Sequence, residues 1–503
     1  MKLRNINKLV FGSIMVLAFT SCTKEFLDVE PKGTYLEENY YSNENQAYSG
    51  LIAIYDVLGK ESKGFENMVT MMNAGSDDHY AGGGGPDDGA GIHAFSHYTI
   101  TASNIPASYW NDYFQGIFRA NVLLSKLPEI PMGEGNRTRF TAEAKALRAY
   151  FYFQLVRMFG NIPLIVEPLP TADIYNVEQA SKEAVYAQIE TDLEEAKNGL
   201  PDMVNLSTEA GRFSKGAAQA LLGKVYLYNG KGSQAAVELA EVNGTPGGTS
   251  KYGYRLLDDF ADLWDFSNTF NSESILETTN TNQSNADWSF WGSGADEGNS
   301  INIMVGPRSY VRSATSTAPD FAPGWSFNVF TEEFYAVIEN DPRFDETIAN
   351  LKAYEEAGEI EYLKGDQDTG YYLKKFMPLN SDATTGGGVK ELNYQQHVYM
   401  IRLADTYLLE AEALGGSGTR AQALLDAVRA RVGLPSVPVS MQAIWNERRI
   451  ELAGEGHRWF DLVRTGNAAT ALADKGFVVG KNEVLPIPLR EMENTLIVQN
   501  PNY

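Results

Sequence analysis

The chain has 503 residues, 43% of them hydrophobic and 12% aromatic, and a formal charge of −24. That composition is one of a globular protein with a substantial core, and the length leaves room for one large domain or two or three ordinary ones. The acidic field repels phosphate backbones and acidic polymers, which excludes nucleic acid as a partner and favours a neutral ligand over a sulfated or uronate-rich one. A single cysteine excludes a disulfide framework.

The N-terminus reads as a leader. Lys2, Arg4 and Lys8 form a basic region, Leu9 to Phe19 a short apolar one, and Ser21 precedes Cys22. The apolar run falls short of the roughly 20 residues that span a bilayer, so residues 1–21 are expected to be cleaved. Phe19-Thr20-Ser21-Cys22 resembles a bacterial lipobox with Phe19 in place of the usual aliphatic residue, and Lys24-Glu25 resembles a surface-export signal. Cys22 is therefore the expected lipidation site and residues 22–44 a tether. Losing Lys2, Arg4 and Lys8 takes the charge of the mature chain to about −27. No later segment is apolar for long enough to cross a membrane, so the lipid is the expected membrane contact.

Helical periodicity begins near Asn45, with Tyr48, Leu51, Ile52 and Tyr55 at three- and four-residue spacings. A Gly- and Asp-rich loop follows over 73–91. Helices are expected over Ala107–Leu127 and Thr141–Phe159, the second apolar around so much of its circumference that it must be buried. Gly160 and Pro163 end it. Two later stretches look like copies of one unit: 217–227 with a turn at Gly230–Gly232 and a helix from Ala235, and 403–411 with a turn at Gly415–Gly418 and a helix from Ala421. Small residues at helical spacing and a short Gly turn are the mode of TPR repeats, a helix pair per about 34 residues. Between the copies, residues 243–388 turn rich in Gly, Ser, Thr and Asn, with Trp264, Trp288, Phe290, Trp291, Tyr310, Trp325 and Phe327 among them. So many aromatics argue for an ordered, loop-built lobe.

Five blocks of sequence carry a resemblance. They are Ala142–Phe153 running on to Phe159-Gly160-Asn161-Ile162-Pro163-Leu164; Arg212-Phe213-Ser214-Lys215-Gly216-Ala217-Ala218; Tyr371–Lys375 with Arg402–Asp405 and Glu410–Ala413; Glu447–Leu452 with Glu455–Arg464; and the ending Leu485-Pro486-Ile487-Pro488 with Gln499–Tyr503. In this order they resemble the SusD/RagB family of outer-membrane nutrient-binding lipoproteins. The resemblance implies a mostly α fold: a TPR-like scaffold of about four helix pairs, few short strands, and a loop-rich lobe that carries the ligand site. It also implies a protein without cofactor or catalytic activity, on the cell exterior, which captures oligosaccharide, or peptide in some branches, for a SusC-like TonB-dependent transporter.

Other candidate chemistry in the sequence competes with solvated or structural roles for the same residues. Glu447, Glu451 and Glu455 share a helical face and could supply a general acid and base, as an all-helical glycoside hydrolase would need, but the interleaved arginines point to ion pairs. Asp77-Asp78-His79, Asp87-Asp88, His93 and His97 crowd one region, yet Gly91, Thr99 and Ile100 favour extended structure and the spacing is not a zinc pattern. Asp366-x-Asp368-x-Gly370 matches only the opening of a calcium loop. Gly82–Gly85 lacks what a phosphate cradle needs. The aromatics remain: Trp and Tyr offer rigid faces for sugar C–H surfaces at low entropic cost. The ligand face is expected on residues 73–106 and the lobe, with His79, Tyr80, Trp288, Trp291, Tyr310 and Trp325 as contacts and Asp78 and Arg308 as polar partners. A purely architectural TPR lipoprotein is the remaining alternative.

Overall fold

The computed structural model describes residues 41–285, 287–289, 291–292 and 296–503. The leader, Cys22, most of the tether and Phe290 lie outside them.

Eight helices form the scaffold: α1 Glu44–Tyr55, α2 Ser108–Lys126, α3 Glu134–Phe159, α4 Lys182–Gly199, α5 Lys215–Tyr228, α6 Gly232–Asn243, α7 Leu403–Ala413 and α8 Gly418–Arg431. They pack as four pairs, α1 with α2, α3 with α4, α5 with α6 and α7 with α8. Among the described residues no helix is long and apolar enough to cross a membrane.

Helix α3 is the axis of the stack. It starts a full two turns before the expected Thr141, because Glu134–Arg139 is helical without an apolar stripe to reveal it. Its buried Arg148 makes a two-pronged ion pair with Asp192 of α4, 2.8 and 2.7 Å, and donates to Asn121 of α2 at 2.8 Å. Such a fork fixes orientation as well as distance. Glu143, wholly buried, accepts from Tyr55 of α1 at 2.6 Å and from Arg139 and Arg212. Gly160 stops the helix at φ +73, where a side chain would be strained.

The two copies seen in the sequence, far apart in the chain, are neighbours in space. Helix α6 lies on α7, tied by Asn243 donating to Thr406 O at 3.0 Å and to Glu410 at 2.8 Å. Lys224 of α5 meets Asp405 of α7 at 3.0 Å, and Arg448 holds the other oxygen of Asp405 at 2.7 Å. Gly223 lets α5 and α6 touch, since a Cβ there would sit 2.5 Å from Leu239 Cγ.

The excursion between them contains, among the described residues, helices of seven residues or fewer and short strands. All strands of the described residues form two-stranded antiparallel ribbons, such as Ile348↔Leu373 to Asn350↔Tyr371. This lobe has a hydrophobic cluster of its own around Ile301, Tyr310, Phe321, Phe330, Phe334 and Tyr372. Its incoming strand Ser274–Glu277 pairs with its outgoing strand Tyr399–Arg402, and the scaffold resumes at once with α7.

Glu447, Glu451 and Glu455 are buried in ion pairs. Glu451 meets Arg343 at 2.9 Å and Arg402 at 2.6 Å and also pairs with Arg431. Glu447 holds Arg343 and Arg429, and Glu455 holds Lys375 and Arg402. The expectation of extended structure around His93 is corrected: Ala90–Ser96 is a helix, entered from Gly89 at φ +76.

Candidate functional site

Three tryptophans from two separate stretches meet at one surface. Trp288 lies over Trp325, ring centres 6.0 Å apart and planes 26° from parallel. Trp291 stands edge-on to both, at 5.8 Å and 77° to Trp288 and 5.4 Å and 84° to Trp325. Phe65 backs the group, 6.1 Å from each of Trp291 and Trp325 and edge-on to buried Phe327 at 5.3 Å. Trp288 is 53% exposed while Trp291 and Trp325 are half-buried, so the cluster presents an aromatic face to solvent.

Local backbone places these rings. Gly64 and Gly292 lie back to back at φ +75 and +74, and a Cβ on either would be about 3 Å from the other's Cα. Buried Ser300 then accepts from Gly64 N and from Trp291 Nε1, both at 2.8 Å. One hydroxyl therefore pins the turn and the indole together. Ser326 and Asn328 take φ of +63 and +55, a backbone that sends Trp325 outward and Phe327 inward. The early loop docks on this segment: Gly82 pairs with Phe327 and His79 with Phe330 as isolated bridges, and a Cβ on Gly82 would collide with Ser326 O.

Arg308 closes one side. Its Nη1 donates to Trp325 O at 3.1 Å and to Asp88 Oδ2 at 3.2 Å, and its guanidinium covers Gly84. The guanidinium remains partly exposed beside Trp325, able to donate to a bound hydroxyl.

The other expected contacts lie away from the tryptophan platform. Asp78 is buried, with Oδ1 held by Arg449 at 2.6 Å, and burial raises its carboxyl above the usual range against the pull of that arginine. His79 is 1% exposed, with Nδ1 2.8 Å from Asn328 O and its ring 4.1 Å from Phe330; burial lowers its pKa to about 3. Tyr310 is 4% exposed and donates to Pro319 O at 2.7 Å in the lobe core. Tyr80 packs half-buried against that core. Trp264, one of the lobe's aromatics, is also core. What the sequence reading missed were Phe65, a lone aromatic in a polar stretch, and Ser300, which no pattern marks.

No group of three or more His, Cys, Asp or Glu among the described residues could hold a metal ion. Asp77 binds Arg458 at 2.8 Å, His93 Nε2 lies 3.0 Å from Gly82 O, and Asp368 accepts from Gly370 N, Tyr362 and Tyr372.

The profile of the SusD family matches residues 217–476, and one described as "Starch-binding associating with outer membrane" matches residues 25–227. This chain belongs to the SusD family. Among solved structures, a laminarin-binding SusD-like protein is 62% identical, with a TM-score of 0.91 over 92% of this chain and 100% of that one. Surface glycan-binding protein A from Bacteroides thetaiotaomicron is 25% identical, with a TM-score of 0.82 over the same shares. SusD-like protein P25 of Formosa agariphila is 25% identical over 98% of this chain and 97% of its own length. The four stacked helix pairs are thus the TPR-like scaffold of SusD proteins, and the tryptophan cluster sits on the irregular lobe of this chain.

Proposed function

We propose that this SusD-family protein captures a neutral β-glucan of the laminarin type at the cell exterior and passes it, chemically unchanged, to a SusC-like TonB-dependent transporter. The observation that carries the reading is the solvent-facing group of Trp288, Trp291 and Trp325, with Trp288 53% exposed. A large aromatic face in water is costly unless something covers it, and sugar C–H faces suit it. Arg308 supplies donors for hydroxyls at its edge. The choice of glucan is supported by the 62% identical relative, which binds laminarin. Attachment to the outer membrane by a lipid on Cys22, after removal of residues 1–21, completes the proposal and is supported by the lipobox-like sequence.

Calorimetry on the protein begun after Cys22 tests capture. Laminari-oligosaccharides are expected to bind, and Trp288→Ala to weaken them at least about tenfold, the 1.4 kcal/mol or more typical of a central aromatic contact. Absence of heat with every neutral glycan would sink the reading. For the anchor, Cys22→Ser is expected to move the protein from the membrane to the soluble fraction.

A further inference from the structure

The outer face of the helix Met441–Glu451 borders a cavity of about 340 Å³ that has no residue in common with the tryptophan platform. Ile444, Glu447, Arg448 and Glu451 of this helix turn inward and are buried. Gln442, Trp445, Asn446 and Arg449, at the complementary helical spacing, line the cavity. Arg458 and Thr470 line it from the helices Arg458–Arg464 and Ala468–Ala471, with Asn467 from the turn between them. Its size is that of a small-molecule site, whose usual range begins at about 300 Å³.

Polar atoms on these walls are left over once the protein's own bonds are made. Arg458 uses Nε and Nη2 on Asp77, both at 2.8 Å. Arg449 uses Nε and Nη2 on Asp78, at 2.8 and 2.6 Å. The Nη1 of each arginine has no hydrogen-bond partner among the described residues, and the side chains are 19 and 21% exposed. Gln442 donates to Asn446 Oδ1 at 2.8 Å, which leaves Gln442 Oε1 and Asn446 Nδ2. Asn467 donates to Thr465 at 2.9 Å, which leaves its Oδ1. Gln442, Asn446, Asn467 and Thr470 are all exposed residues. Trp445 is half-buried with its Nε1 inside, so its ring is what a ligand meets.

Donors and acceptors are thus mixed, and two arginines face two aspartates, so an ion of neither sign is favoured. A hydroxyl both donates and accepts, and a sugar carries several of them around a C–H face that suits an indole. We propose that this cavity is a second carbohydrate site, which takes a short neutral gluco-oligosaccharide or the end of a longer chain independently of the platform. It rests on the glucan-capture reading for the kind of sugar. Two sites on separate elements let one polymer be held twice, which raises its retention without any new contact at the platform.

The test is fluorine NMR on the protein begun after Cys22 and labelled with fluorotryptophan, with Trp445 and the platform lines assigned by Trp→Phe substitution. Laminaribiose, laminarihexaose and a neutral tripeptide are titrated. Both sugars are expected to move the Trp445 line saturably, and equally in wild type and Trp288→Ala. Asn446→Ala should weaken that response about fivefold, the loss of one neutral hydrogen bond. Thr470→Phe fills the cavity from an exposed position and should abolish the response while the platform lines still move. A Trp445 line that no sugar moves, that stops moving in Trp288→Ala, or that ignores both cavity substitutions overturns the second site and leaves capture at the platform intact. Movement with the tripeptide alone overturns it too. Platform lines that stay still while Trp445 responds keep this site and remove the platform reading instead.

Discussion

Ser300 bears on the platform out of proportion to its size, because its hydroxyl receives both Gly64 N and the Trp291 indole. Ser300→Ala strands two buried donors, and each costs about 1–3 kcal/mol. The expected result is a lower unfolding midpoint in denaturant together with weaker glucan binding, since Trp291 is no longer held edge-on. His79 gives a pH prediction. Burial lowers its folded pKa to about 3 against an ordinary value of 6.5, so below pH 6.5 the unfolded chain takes up a proton that the folded one refuses. Its contribution is complete above pH 6.5 and is lost as the pH falls toward 3. His79→Asn keeps a donor for Asn328 O and is expected to be less stable at pH 7.5 but to lose less between pH 7.5 and 5, as followed by urea unfolding. Residue type revealed the three tryptophans, whose crowding in a polar lobe is visible in the chain. It could not separate them from Tyr310 or His79, because whether an aromatic residue faces water depends on which distant strand or loop covers it.

Helix pairing was more legible than helix ends. The Gly turns at 230–232 and 415–418 and the Ala-rich flanks mark α5 to α8, and the structure stacks the two pairs directly. The start of α3 and the helix Ala90–Ser96 were hidden, the first for want of apolar residues and the second behind glycines that read as a loop. Gly223 tests the close packing. Gly223→Val drives a side chain into Leu239 and should destabilise by about 1–3 kcal/mol, the usual price of overpacking. The helix Met441–Glu451 tests the ionic core. Burial alone would raise the Glu451 carboxyl, yet Arg431, Arg402 and Arg343 hold it well below the usual range. Glu451→Ala leaves three buried arginines short of a partner and is expected to cost about 3–5 kcal/mol, read as a large fall in the thermal midpoint. A glycosidase acid in that position would abolish turnover without such a fall.

At the scale of the molecule, a formal charge of −24 sets a selection against anionic polymers that no single contact supplies. At low ionic strength a uronate polymer is expected to bind far more weakly than laminarin, with the gap narrowing as salt is raised. The lobe also has a topological property. It leaves the scaffold after Asn243 and returns at Leu403, and the two ends are stitched together by Ser274↔Arg402 pairing and by Asn243 donating to Thr406 O. The residues between have a hydrophobic interior of their own and dock on the early loop at Gly82 and His79 and on Glu447, Glu451 and Glu455 through Arg343 and Lys375. Changes at the lobe's surface loops, away from Arg343 and Lys375, leave the contacts among the eight helices in place, so one sugar-reading surface can be traded for another while the scaffold stays as it is. The same property makes the chain cuttable: new termini opened at an exposed turn such as Gly358, with the old ones joined, should still give a folded protein, because the lobe's two ends are already held together by the strand pair and by Asn243.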